Sequence, residues 1–152
     1  AELHRAAGAP SPAARYYRKA FGPALTPEQW LTLAQVHWQA NELEPAAQAA
    51  RQAWEGRPAL ETLAFLAEIR LRQRQYQAAA EHYRRAAEQG QGDQAARWAM
   101  NAGYCQLRLQ RLEPAAQDFS LAGRKAKAGG ENARLAEKLL AQVREQLAAA
   151  PQ

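Results

Sequence analysis

The sequence predicts an all-α chain of antiparallel helix pairs closed by a C-terminal capping helix, and three observations carry that prediction. Thirty-eight of the 152 residues are alanine, leucine is common and β-branched residues are scarce, so intrinsic preference runs to helix throughout. The hexapeptide Leu43-Glu44-Pro45-Ala46-Ala47-Gln48 returns unchanged as Leu112-Glu113-Pro114-Ala115-Ala116-Gln117, an offset of 69 residues that equals one interval of 33 plus one of 36. Each copy opens a small-x-x-x-bulky-x-x-small spacing, whose members share one helical face.

Ala79, within Tyr76-Gln77-Ala78-Ala79-Ala80, falls between the two copies, and stepping back 33 from Ala46 reaches Ala13. The frames read Ala13, Tyr17, Ala20; Ala46, Ala50, Ala53; Ala79, Tyr83, Ala86; and Ala115, Phe119, Ala122, with Ala50 a small residue in the bulky slot. Small residues let a neighbouring helix approach while the aromatic fills the gap beside it. Twelve or thirteen residues ahead of a frame lies a second apolar stretch: Trp30, Leu33, Ala34; Leu63, Leu66, Ala67; and Ala99, Ala102, Gly103. Two helices per repeat follow, neither able to bury its stripe alone.

Helices are expected at about 1–7, 11–21, 27–40, 44–54, 59–73, 77–89, 93–109, 113–126 and 131–148. Ser11-Pro12 and the capping box Thr26-Pro27-Glu28-Gln29 start two of them, Asp93 after Gly92 is expected to cap another, and Pro45 and Pro114 sit in first turns. Gln89-Gly90-Gln91-Gly92 widens one turn, which accounts for the longer interval, and Gly129-Gly130 sets off the last helix. That helix carries Leu135, Leu139, Val143 and Leu147 at i+4, joined by Ala136 and Leu140, as a terminal cap would. The chain is thus expected as one domain over 1–152: a partial repeat over 1–25, repeats over 26–58, 59–92 and 93–128, and a capping helix and tail over 129–152. Ala1 to Gly8 reads as the tail of a helix that begins upstream, so a fragment of a longer array is expected, and the Arg-over-Lys bias of 16 to 4 points to a bacterial source.

Composition also excludes functions. Apolar runs break before the roughly 20 residues that a bilayer needs. Cys105 alone supplies neither a disulfide framework nor a cysteine-based zinc site, and His4, His37 and His82 have no metal-ligand spacing. No catalytic triad order, phosphate-binding Gly-Lys motif or paired carboxylates can be assembled, so a non-enzyme without cofactor or metal is expected. The net charge of +5 is mild, and arginines over 70–111 are interleaved in sequence with Glu61, Glu68, Glu81 and Glu88, which reads as a screened surface and makes nucleic acid an unfavoured partner.

Trp30, Leu33, Ala34, His37, Ala46, Ala50, Ala53 and Pro58, followed by Leu63, Leu66, Ala67, Arg70, Ala79, Tyr83 and Ala86, and by Ala99, Ala102, Gly103, Gln106, Ala115, Phe119 and Ala122, resemble the tetratricopeptide repeat (TPR) family over nearly all of the chain. His37, Ala50, Arg70 and Gln106 depart from its large or aromatic slots. The resemblance implies a right-handed α-α superhelix, a TPR solenoid, with the first helix of each pair lining a concave groove. It places Glu28, Leu31, Thr32, Gln35, Trp38 and Gln39, then Glu61, Ala64, Phe65, Glu68, Leu71 and Arg72, then Arg97, Met100, Asn101, Tyr104, Leu107 and Arg108 on that groove. The Lys and Asn positions that hold a C-terminal carboxylate in chaperone-binding members are Leu31, Gln35 and Glu61 here, so such a clamp is not expected.

The expected function is a protein-binding scaffold whose contact residues are Leu31, Gln35, Trp38, Gln39, Phe65, Glu68, Arg72, Arg97, Asn101, Tyr104 and Arg108, suited to a protein or peptide bearing acidic residues. The alternative is a segment of an exopolysaccharide-secretion or outer-membrane assembly protein that binds glycan or spaces domains, and a periplasmic setting is preferred to a cytoplasmic one. Self-association is allowed and not implied. Trp98 is expected to pack on the preceding repeat, and Cys105 to act as a buried small hydrophobe.

Overall fold

The structure, a computed structural model, describes residues 11–21 and 24–150, without the side chains of 13, 14, 17, 18 and 21. The described residues form eight helices: α1 (Pro12–Phe21), α2 (Pro27–Gln39), α3 (Leu43–Gly56), α4 (Leu60–Arg72), α5 (Tyr76–Gln89), α6 (Gly92–Arg108), α7 (Leu112–Lys125) and α8 (Glu131–Ala149). The helix expected over 1–7 and the roles expected of Ala13 and Tyr17 lie outside the described residues and side chains. The chain divides into two compact units, one up to Thr62 and one from Leu63.

In the first unit α2 starts at the expected capping box. Thr26 Oγ1 accepts from the Gln29 N–H at 3.2 Å, Gln29 Oε1 accepts from the Thr26 N–H at 2.9 Å, and Pro27 takes the first helical position. Helix α3 returns antiparallel, because its last residue, Gly56, meets Pro27 at the start of α2; a Cβ on Gly56 would stand 2.8 Å from Pro27 Cγ. Between them lie Leu33, Ala34 and His37 of α2 and Ala46, Ala47, Ala49, Ala50 and Ala53 of α3, all buried. An interface of alanines brings two backbones close, with Leu33 as the large apolar side chain fully enclosed there.

The 33 and 36 spacing reappears in the backbone. Asn41, Arg74 and Gln110 all have positive φ, at 59°, 61° and 57°. At each, the next residue's N–H donates to a carbonyl five residues back (Glu42 to His37, Gln75 to Arg70, Arg111 to Gln106), while the positive-φ residue donates to a carbonyl three back (Asn41 to Trp38, Arg74 to Leu71, Gln110 to Leu107). These are three Schellman turns that end one helix and start its partner. His37, Arg70 and Gln106, the polar residues standing in a large-residue slot, are buried and supply the accepting carbonyls.

In the second unit Gly103 of α6 faces Phe119 of α7 so closely that a Cβ there would overlap the ring, and Phe119 is fully buried. Trp98 lies against Gly90 in the widened turn, as expected of it: a Cβ on Gly90 would be 3.1 Å from Trp98 Cζ3. Helices α5 and α7 are stapled one repeat apart. Arg84 Nε and Nη2 donate to the two oxygens of Asp118 at 2.7 and 3.0 Å, Arg111 Nη2 donates to Gln77 Oε1 at 3.4 Å, and Lys125 Nζ donates to the carbonyls of Glu88 and Gly90 at 3.1 and 2.9 Å, closing the C-terminal end of α5.

Two expectations need correction. Asp93 does not cap α6, whose N-cap position is Gln91; its carboxylate instead accepts the Lys127 N–H at 2.9 Å and ties the end of that repeat back to its start. In α8 the buried residues are Ala136 and Val143, seven apart, where Ala136 approaches Gly123 of α7; Leu139, Leu140 and Leu147 are half-buried and Leu135 is 40% exposed. The expected stripe thus keeps Leu139, Val143 and Leu147 in contact, with Ala136 and Leu140 beside them, and only Leu135 turns outward.

Candidate cleft in the second unit

The packing of Gly103, Phe119 and Tyr104 builds one wall of a cleft. With no side chain on Gly103, the Phe119 ring enters between α6 and α7, and the Tyr104 ring then rests edge-on against it, centroids 5.6 Å apart and planes at 71°. Tyr104 remains 41% exposed, so a buried aromatic holds a presented one. The opposite wall is the end of α4, the Schellman turn at Arg74 and the first residue of α5.

Leu71, Arg72, Arg74 and Tyr76 from that wall face Asn101, Tyr104, Cys105, Leu107 and Arg108 of α6 around a cleft of about 600 Å³. Leu71, Leu107 and the tyrosine rings give it apolar surface, and three guanidinium groups rim it. Among the described residues no acidic side chain lines it. The Arg108 guanidinium stands 5.8 Å from the centroid of the Tyr76 ring, a cation–π distance. Burial pushes the Cys105 thiol up to about 11, so at neutral pH it is a neutral wall atom rather than a nucleophile, as its expected role required.

Of the sequence-derived contact residues, the cleft gathers Arg72, Asn101, Tyr104 and Arg108, together with Leu71 and Leu107. Phe65, half-buried, and Glu68, exposed, are on α4, and exposed Arg97 is on α6; none lines the cleft. In the first unit, Leu31 and Trp38 are half-buried and Gln35 and Gln39 exposed along α2. Met100 and Ala64, also assigned to the groove, are buried and present no surface of use to a ligand.

Arg74 and Tyr76 were missed because they belong to a turn and to the start of a second helix. The available signal was Tyr76 itself, standing where the hexapeptide has Leu43 and Leu112. Of the glutamates expected to screen the arginines, Glu81 and Glu88 are on α5, where both act on Arg84.

A second hollow, about 530 Å³, lies between α5 and α7, and the Arg84–Asp118 pair lines it. Asp118 is 1% exposed; its burial raises the carboxyl pKa, and the Arg84 hydrogen bonds oppose that shift. Among the described residues no group of three or more His, Cys, Asp or Glu side chains could hold a metal ion, and no catalytic constellation is assembled.

No protein-family model matches the sequence, and no curated protein matches it. Solved structures do. The type III secretion chaperone SycD of Yersinia enterocolitica, in complex with a peptide of the translocator YopD, is 20% identical over 79% of this chain and 93% of that one, with a TM-score of 0.64. PcrH from Pseudomonas aeruginosa is 23% identical over 81% and 96%, with a TM-score of 0.62, and a T3SS complex from Aeromonas hydrophila is 21% identical over 92% and 100%, with a TM-score of 0.67. The fold is TPR-like. The chain is an all-helical protein that structurally resembles a peptide-binding secretion chaperone. The periplasmic preference is corrected by the same likeness, which is to a type III secretion chaperone.

Proposed function

We propose that the chain is a non-catalytic binding module that holds a segment of a partner protein in the cleft of its second unit. The observation that carries this reading is the cleft itself: apolar surface from Leu71, Leu107 and Tyr104 sits beside the Asn101 amide, with Tyr104 held in place by a buried ring. Concave sites that combine apolar area with a few fixed polar groups suit a side chain anchor flanked by hydrogen-bonding backbone. The likeness to a chaperone solved with a bound peptide supports a protein segment as the ligand class.

Selection of phage-displayed random peptides on the immobilised full chain tests it, with Tyr104→Ala and Asn101→Ala variants in parallel. The reading predicts peptides that bind the unaltered chain and lose binding to both variants. Peptides indifferent to both substitutions would contradict it. The strip of Leu31, Gln35, Trp38 and Gln39 on α2 is proposed as an independent contact, examined with Gln35→Ala/Gln39→Ala in the same selection.

A further inference from the structure

We infer that the segment taken by this cleft carries acidic residues flanking one aliphatic or aromatic side chain, an inference that rests on the peptide-binding reading. Arg72, Arg74 and Arg108 rim the apolar surface, and among the described residues no carboxylate lines the cleft with them. A ligand carboxylate would therefore meet guanidinium groups able to pair with it in planar, bidentate fashion.

Contacts of a ring and of the backbone act on this rim before any ligand arrives. Arg108 is laid along the Tyr76 ring at 5.8 Å. Arg74 leaves the backbone at φ 61°, and its N–H is fixed on the Leu71 carbonyl at 2.9 Å. A positive φ is costly for a non-glycine residue, and asparagine tolerates it best. The first copy of this turn has Asn41 and the third has Gln110, so the turn does not require an arginine; only the middle copy carries a charge, and that charge lines the cleft. Repeat equivalence extends the contrast, since Gln39 stands where Arg72 and Arg108 stand. The positive charge is thus concentrated at one junction of the array.

Peptide is favoured over single-stranded nucleic acid by the rings. Stacking of successive bases needs open aromatic faces, whereas Tyr104 is engaged edge-on with Phe119 and one face of Tyr76 lies under Arg108. The aliphatic surface of Leu71 and Leu107 suits an apolar side chain.

The test uses the full chain and three fluorescein-labelled pools of short N-acetylated, C-amidated peptides. Each peptide has a central Leu or Phe, flanked by mixtures of Asp and Glu, of Ser and Asn, or of Lys and Arg. Fluorescence anisotropy at low and physiological ionic strength reads the affinity, with a single-stranded oligothymidine as the competing polyanion. The acidic pool is expected to bind about tenfold or more tightly than the neutral pool. That advantage is expected to vanish in Arg74→Glu/Arg108→Glu and to survive in Arg134→Glu/Arg144→Glu, an equal charge change on the exposed face of α8. Circular dichroism confirms that each variant is folded. A neutral pool that binds as tightly as the acidic one, and still depends on Tyr104, overturns the acidic inference while leaving the peptide reading intact. No Tyr104-dependent binding by any pool overturns both, and tighter Tyr104-dependent binding of the oligothymidine replaces the peptide with nucleic acid.

Discussion

Helices α3 and α7 begin with the same six residues, follow the same kind of Schellman turn, and then differ. In α3 the hexapeptide continues with Ala49-Ala50, and α2 has Ala34 at the position that Gly103 takes in α6; in α7 it continues with Asp118-Phe119, and the facing residue on α6 is Gly103. Both pairs close, but by opposite means. The first packs alanine on alanine. The second opens a gap at Gly103, fills it with Phe119, seats Tyr104 on that ring, and ties Asp118 to Arg84 of the preceding repeat. A shared frame fixes where helices turn; the two residues after it decide whether the junction is inert or carries a site.

The difference can be erased in the α7 copy. Phe119→Ala removes a fully buried ring and is expected to cost about 3–5 kcal/mol of stability in urea unfolding. Gly103→Ala forces a methyl into that ring and is expected to cost about 1–3 kcal/mol. Together the two substitutions rebuild the Ala34/Ala50 arrangement of the first unit. The double variant is therefore expected to lose clearly less than the sum, the coupling that a double-mutant cycle isolates. Simple additivity would show that the two junctions are not interchangeable.

Arg84→Ala attacks the second novelty of α7. It leaves a carboxylate 1% exposed without its partner, at an expected cost of about 3 kcal/mol; the low end of the range for buried pairs applies because the Arg84 side chain is itself 32% exposed. Removing both charges, as Arg84→Met/Asp118→Ala, is expected to recover a large part of the loss. A single variant as stable as the parent would mean that the staple between repeats contributes nothing.

How far the sequence reveals this depends on the range of each interaction. The hexapeptide, the alanine frames, the Thr26 box and the Gly103 and Phe119 slots are local or periodic, so they announce helix pairs directly. Arg84 and Asp118 are 34 residues apart, and only the stacking of one repeat on the next makes them neighbours. His37, Arg70 and Gln106 read as defects in an apolar slot, yet each end-of-helix carbonyl closes a turn. In the cleft, four of the eleven proposed contact residues converge, because helical phase is readable from sequence; Arg74 and Tyr76 belong to a turn whose path is not.

Smaller effects probe the same contrast. Cys105 has its thiol raised from an ordinary value near 9 to about 11 by burial, so the fold favours the neutral form. Its stabilising contribution is fully present below pH 9 and is lost as pH rises through about 11. Iodoacetamide is expected to label the folded chain slowly at pH 8 and faster toward pH 11, and Cys105→Ala is expected to flatten the alkaline loss of stability. Fast labelling at pH 8 would place the thiol in solvent. Smallest of all, Arg74→Gly and Gln110→Gly are each expected to stabilise by about half a kcal/mol, as relief of positive φ outweighs the added chain entropy, while Asn41→Gly changes little.

The most direct test of the central claim is a titration of the isotope-labelled full chain with the tightest peptide from the acidic pool, followed by amide chemical shifts. The account predicts that the changes concentrate at Leu71–Tyr76 and Asn101–Arg108 and leave the Arg84–Asp118 face unmoved. Changes confined to α5 and α7, with the cleft silent, would contradict it.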